Sequence, residues 1–156
     1  NLVGIISNAD VIRSQIERAT PEKVGKLKRT LESIHGIEAR EERRSIELEY
    51  LTPTQGKVYA DELEGRRYEL ERGLAEPLVV IDNAGNLLLA DGHHRVMAAQ
   101  QEGIVEMDAY VIVLDRRVDL GMARTAKQEG LETLEDITVV DYARHPLVET
   151  IERLNE

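Results

Sequence analysis

The chain reads as a small α+β domain, a mixed sheet flanked by helices, preceded by a strand–helix segment and a connecting helix. Three observations predict this. Apolar runs of strand length fall at 78–81, 87–90 and 107–114, too short for helices and continuous enough to be buried on both faces. Helix-forming stretches separate them, at 61–72, 93–102 and 120–129. Turn residues join the first two runs through Asp82-Asn83-Ala84-Gly85-Asn86, so the second should return antiparallel to the first.

The totals narrow the function classes. At 156 residues the chain can bury one good core. It has no cysteine, which excludes disulfides, thiolate metal sites and thiol catalysis. Thirty acidic against 20 basic residues give a net charge of −10, which repels nucleic acid unless a local basic face overrides it. No apolar run approaches a membrane span and no basic-then-apolar leader is present, so a soluble, cytoplasmic protein is expected.

In order, Leu2-Val3-Gly4-Ile5-Ile6 is strand-like, and Ser7 with Asp10 makes a capping-box-like pair before a helix carrying Val11, Ile12 and Ile16. Thr20-Pro21 starts the next helix, with Thr as cap and Pro in the first turn. Val24, Leu27, Leu31 and Ile34 make one apolar seam along it, which suggests a homodimer contact, and His35-Gly36 ends it. Lys23, Lys26, Lys28 and Arg29 form a basic cluster, either the solvated side of this helix or a contact to a phosphate backbone. The charged stretch 38–44 reads as a linker or a helix end, and a new domain is expected from Ser45, where Ile46, Leu48 and Tyr50 alternate with Glu47 and Glu49 as a half-exposed strand. Thr52-Pro53-Thr54-Gln55-Gly56 breaks that strand into a loop. The helix at 61–72 turns Leu63 and Leu70 inward. A short strand at 137–140 and a last helix from His145-Pro146 complete the chain. The division predicted is therefore 1–19, 20–44 and 45–156.

The stretch with the most chemistry is Asp91-Gly92-His93-His94-Arg95, at a corner between an apolar strand and a helix. A helix start presents backbone N–H groups without acceptors inside the helix and carries partial positive charge, which suits phosphate. Gly92 would let the backbone approach a ligand closely, and Arg95 can make paired hydrogen bonds to phosphate oxygens. His93 and His94 are adjacent, so on a helix they diverge and do not grip one metal together. The expectation is that they donate to phosphate, with one of the two capping or packing, and no metal site is assigned. Asp91 is open to three readings: a helix cap, a proton acceptor or a contact to Mg²⁺.

Two resemblances refine this. The segment 2–12 is similar to the last strand and helix of a CBS domain, in which the Ser/Thr and Asp contact an adenosyl ligand, and a remnant of such a domain is expected at 1–19. The strand, hairpin and Asp-Gly-His-His-Arg corner over 45–114 resemble the ParB/sulfiredoxin superfamily, and most closely the archaeal free-serine kinases, whose corner has the same five residues. Ile46-Glu47-Leu48 leading to a loop at Pro53 is also similar to their pattern. The resemblance implies a nucleotide, ADP or ATP with Mg²⁺, held by Asp91, Gly92, His93, His94 and Arg95, and phosphoryl transfer to a small hydroxyl compound such as serine. Sulfiredoxin chemistry is excluded for want of its cysteine. The 120–155 tail lacks the pair of recognition helices that follows this domain in ParB. Where the serine kinases carry a Glu two positions after the loop proline, this chain has Gln55, which can hold a hydroxyl but cannot take its proton. Asp91, beside the phosphates, is then the expected base, with Asp61 and Glu62 behind it. A DNA-associated ParB-like or nuclease-like regulator and a non-catalytic nucleotide sensor remain as alternatives.

Overall fold

A computed structural model describes residues 20–141. The strand–helix segment expected at 1–19 and the last helix expected from His145 lie outside the described residues.

Thr20 caps the first helix, α1 (Pro21–His35), by accepting from the Lys23 N–H at 3.3 Å, and Gly36 ends it with φ +62°. There follow β1 (Ala39–Glu47), a 3-10 turn (Leu48–Tyr50), β2 (Leu51–Pro53), β3 (Lys57–Tyr59), α2 (Ala60–Glu71), β4 (Leu78–Asn83), β5 (Asn86–Asp91), α3 (His93–Gln101), β6 (Glu106–Leu114), α4 (Gly121–Gln128), a second 3-10 turn (Leu134–Asp136) and β7 (Thr138–Val140). Five strands form a mixed sheet in the order β1-β6-β4-β5-β2, while β3 and β7 pair in parallel as a second, two-stranded sheet.

β4 sits at the centre, parallel to β6 and antiparallel to β5. Its residues alternate between two cores, which is why it reads as a continuous apolar run. Leu78 and Val80 pack with Leu63, Leu89, Val96, Ala98 and Ala99 under α2 and α3. Val79 and Ile81 pack with Val24, Leu31, Leu88 and Ile112 beneath α1, with Met122 and Ala123 of α4 against them. The domain is a sheet with helices on both faces. The β4–β5 hairpin closes as expected, with Ala84 and Gly85 both at positive φ between the paired Asn83 and Asn86.

Two expectations change. Residues 39–44 are a strand: β1 pairs with β6 along its whole length, from Ala39 opposite Leu114 to Glu47 opposite Glu106. It carries almost no apolar signal because it is the sheet's edge, held by side-chain ion pairs from Arg43 to Asp108 and from Arg44 to Asp82. Leu48 and Tyr50 lie in the 3-10 turn beyond it, Leu48 buried and Tyr50 exposed. The apolar seam of α1 also has a different use. Val24 and Leu31 are buried in the chain's own core and Leu27 packs against it, which leaves Ile34 exposed. The face that suggested a homodimer is occupied by the sheet. Among the described residues no helix is long and apolar enough to cross a membrane.

Candidate functional site

The corner forms where β5 ends and α3 begins, with Gly92 as N-cap at φ +108°. A side chain at Gly92 would begin 2.6 Å from Leu78 Cδ2 and 3.0 Å from an Arg95 nitrogen. The glycine is therefore required by the protein's own packing as well as by its backbone angle. The first helical bond runs from the Val96 N–H to the Gly92 carbonyl at 2.9 Å. The N–H groups of His93, His94 and Arg95 consequently have no acceptor within the helix, and glycine brings no side-chain oxygen to cap them.

The polar side chains of the corner turn inward. His93, His94 and Arg95 are only 4%, 5% and 4% exposed. His93 Nε2 accepts from the backbone N–H groups of Thr54 at 2.9 Å and Gln55 at 3.2 Å. Burial pushes its pKa down to about 3, with His94 and Arg95 adding to the effect, so the ring is neutral and can keep accepting. His94 Nε2 accepts from the Tyr59 N–H at 3.0 Å, and its ring stacks on Tyr59. The same nitrogen lies 3.3 Å from Glu62 Oε2. Arg95 is 3.6 Å from Asp91 Oδ2, one helical turn away.

The two histidines thus bracket the segment that follows β2. His93 fixes its start at Thr54 and Gln55, and His94 fixes its end at Tyr59, where α2 begins. Thr54 Oγ1 adds a bond to the Leu89 carbonyl at 2.7 Å. Of the expectation that the imidazoles donate to phosphate with one of them capping or packing, the structure describes the capping and packing, made by Nε2 of both rings. In a buried corner the nearest unsatisfied groups are the loop's backbone donors, and a neutral ring serves them. Arg95, equally buried and 3.6 Å from Asp91, is not among the residues lining the cleft beside this loop.

The held loop forms one wall of a cleft of about 700 Å³, large enough for a nucleotide. Its lining includes Thr54, Gln55, Gly56, Lys57 and Tyr59, then Ala90 and His93 from the two sides of the corner. The rest of the lining, a second wall joined to the loop through the Lys57–Thr138 pairing, is Thr125, Glu129, Leu131, Asp136 and Thr138. Lys57 is the one cation among these residues. Asp136 accepts from the N–H groups of Glu132 and Thr133, both at 2.9 Å, which holds its carboxyl below the usual range and fixes the turn that shapes this wall.

No protein-family model matches the chain. An uncharacterized protein of Methanocaldococcus jannaschii is 49% identical over 143 residues, an alignment that takes in 90% of this chain and 54% of that protein. The chain therefore spans about half the length of the curated relative it matches. Among solved structures, a protein of Agrobacterium tumefaciens is similar at 20% identity and a TM-score of 0.49, over 73% of this chain and 69% of that one. A Pnob8-like ParB-N domain is similar at 18% identity and a TM-score of 0.42, over 59% and 36%. C-terminally truncated ParB from Caulobacter crescentus, complexed with CTP-γ-S, is similar at 22% identity and a TM-score of 0.39, over 57% and 52%.

Of the residues singled out in the sequence, Gln55 and His93 meet at the cleft, as the loop-facing-corner arrangement requires. Gln55 is exposed there, with its side-chain amide donating to the Lys57 carbonyl. Asp91 is not in the lining, and neither Asp61 nor Glu62 reaches it. Lys57, Thr125, Glu129 and Asp136 carry no motif. The only sign of Lys57 was its place in a short polar loop after a proline. The α4 residues read simply as the outer face of a helix. Among the described residues no group of three or more metal-ligating side chains comes together.

Proposed function

We propose that the cleft binds a nucleoside phosphate, ADP or ATP, with its phosphates at the start of α3, and that the domain transfers a phosphoryl group to a small hydroxyl compound such as free serine. One observation carries the reading. The N-terminus of α3, which has no side-chain cap, borders a nucleotide-sized cleft together with the loop that His93 holds beside it. Backbone N–H groups and the helix dipole would receive the phosphates, and Lys57 is placed to add one charge-assisted contact. The corner side chains act behind them as a frame. Mg²⁺ would arrive with the nucleotide, bound chiefly by its phosphates and waters. The similarity of the corner to that of the archaeal free-serine kinases supports the class of reaction. The similarity of 2–12 to the end of a CBS domain supports coupling to a unit that senses an adenosyl ligand.

Calorimetric titration with ADP, ATP and CTP in the presence of Mg²⁺ tests the binding, and phosphoserine release from serine tests the transfer. Absence of binding by any nucleotide overturns the whole reading, whereas binding without transfer leaves a nucleotide sensor. The DNA-associated alternative has less support than the sequence suggested. Lys28 pairs with Glu32 at 3.4 Å, and the Lys23 ammonium nitrogen is buried, so the basic cluster of α1 is not one continuous face. A gel shift at low salt checks it.

A further inference from the structure

We propose that Glu129 is the catalytic base of the cleft, supplying from α4 the carboxylate that the loop does not provide at Gln55. This rests on the phosphoryl-transfer reading above. A hydroxyl attacking phosphorus benefits from a carboxylate that orients it and accepts its proton, and elimination among the nearby acids leaves one. Asp91 is turned to Arg95, outside the cleft. Glu62 stands beside His94 in the interior. Asp61 accepts from the Glu62 N–H at the start of α2. Asp136 lines the cleft, but the Thr133 and Glu132 N–H groups both donate to its Oδ2 and hold its carboxyl below the usual range, which makes it a weaker base.

Glu129 is different in three respects. It lines the cleft beside the held loop. Its Oε2 lies 3.6 Å from the point where a side chain at Gly56 would begin, so the carboxylate rests against the residue next to Gln55. The glycine leaves that approach open. Finally, no hydrogen bond or ion pair of the Glu129 carboxylate is formed among the described residues, and it sits at the C-terminal cap of α4, where the helix dipole disfavours a negative charge. Helix stability does not explain its placement. A role toward a ligand in the cleft does.

In the step this implies, the acceptor hydroxyl oxygen forms a bond to the terminal phosphorus of the nucleotide while its proton passes to a Glu129 carboxylate oxygen. The bridging P–O bond breaks, and its electron pair leaves with the shortened nucleotide. Gln55, in the same lining, can hold the same hydroxyl by hydrogen bonding.

The test uses the chain with Mg²⁺, ADP or ATP as donor and serine as the probe acceptor. Glu129→Gln is expected to lower kcat by about 10²- to 10⁴-fold, with nucleotide Kd within twofold and the urea midpoint unchanged. It should also remove the acid limb of the kcat–pH profile, which Glu129→Asp should retain and which a structural role would not affect. Glu132→Gln, outside the cleft, serves as the control. Full transfer by Glu129→Gln overturns the assignment and leaves phosphoryl transfer standing. A wild-type chain that binds nucleotide without transferring overturns phosphoryl transfer and Glu129 with it. Activity gained only in Gln55→Glu also overturns Glu129, by returning the base to the loop.

Discussion

The two walls of the cleft meet their polar requirements in opposite ways. On the corner side, His93, His94 and Arg95 are almost fully buried, and both imidazoles accept from backbone donors of the neighbouring segment. On the α4 side, Thr125 and Glu129 are exposed, and the Glu129 carboxylate makes no hydrogen bond or ion pair among the described residues. The wall with the recognisable motif is the frame, and the wall with no motif holds the uncommitted chemistry. A polar cluster at a strand–helix corner is thus better read first as a set of groups satisfying the fold, with ligand contacts left to the backbone it positions.

Substitutions can break that contrast, beginning on the frame side. Gly92→Ala places a Cβ against Leu78 at a positive φ, and a loss of at least about 3 kcal/mol in urea unfolding is expected, enough to threaten soluble expression. A loss below about 1 kcal/mol would show that the corner is not packed as described. His93→Ala leaves two backbone N–H groups without their acceptor and should destabilise by about 2–4 kcal/mol while weakening nucleotide binding at least tenfold. His94→Ala removes one acceptor, at about 1–3 kcal/mol, and should spare binding more than His93→Ala does.

The pH dependence sharpens the same point. The folded-state pKa of His93 is depressed, to about 3 from 6.5, so the unfolded chain binds a proton there first. The stability this residue contributes is complete above about pH 6.5 and declines by about 1.4 kcal/mol per unit as pH falls toward 3. Between pH 7 and 5 the loss from this group should be about 2 kcal/mol, and His93→Ala should remove that share of the slope. The smallest effect belongs to the cleft-facing loop. Lys57→Ala should change stability by no more than about 0.5 kcal/mol yet raise nucleotide Kd about tenfold. A large destabilisation there would dissolve the distinction between frame and site.

What was legible in the sequence followed from burial. The strands β4, β5 and β6 are apolar because both faces or most of one are covered, and the hairpin declared itself through Asp82, Gly85 and Asn86. Strand β1 was hidden because an edge strand held by arginine–carboxylate pairs has the composition of a linker. The corner was found because five polar residues interrupt an apolar strand and a helix. Their orientation was not legible, since the groups that His93 and His94 serve, on Thr54, Gln55 and Tyr59, are backbone amides that any residue could supply. Glu129 was missed for a related reason: its meaning comes only from the packing of the end of α4 beside a loop distant in sequence.

The pairing of β3 with β7 has a consequence for synthesis. The segment that includes β3 emerges from the ribosome well before its strand partner, Thr138–Val140. The corner that grips the loop also comes after it, in α3. A nascent chain can complete the β4–β5 hairpin before the site has either of these supports. The lining of the cleft is therefore completed only once β7 has been made, and a chain stopped before residue 138 would lack the strand that pairs with β3.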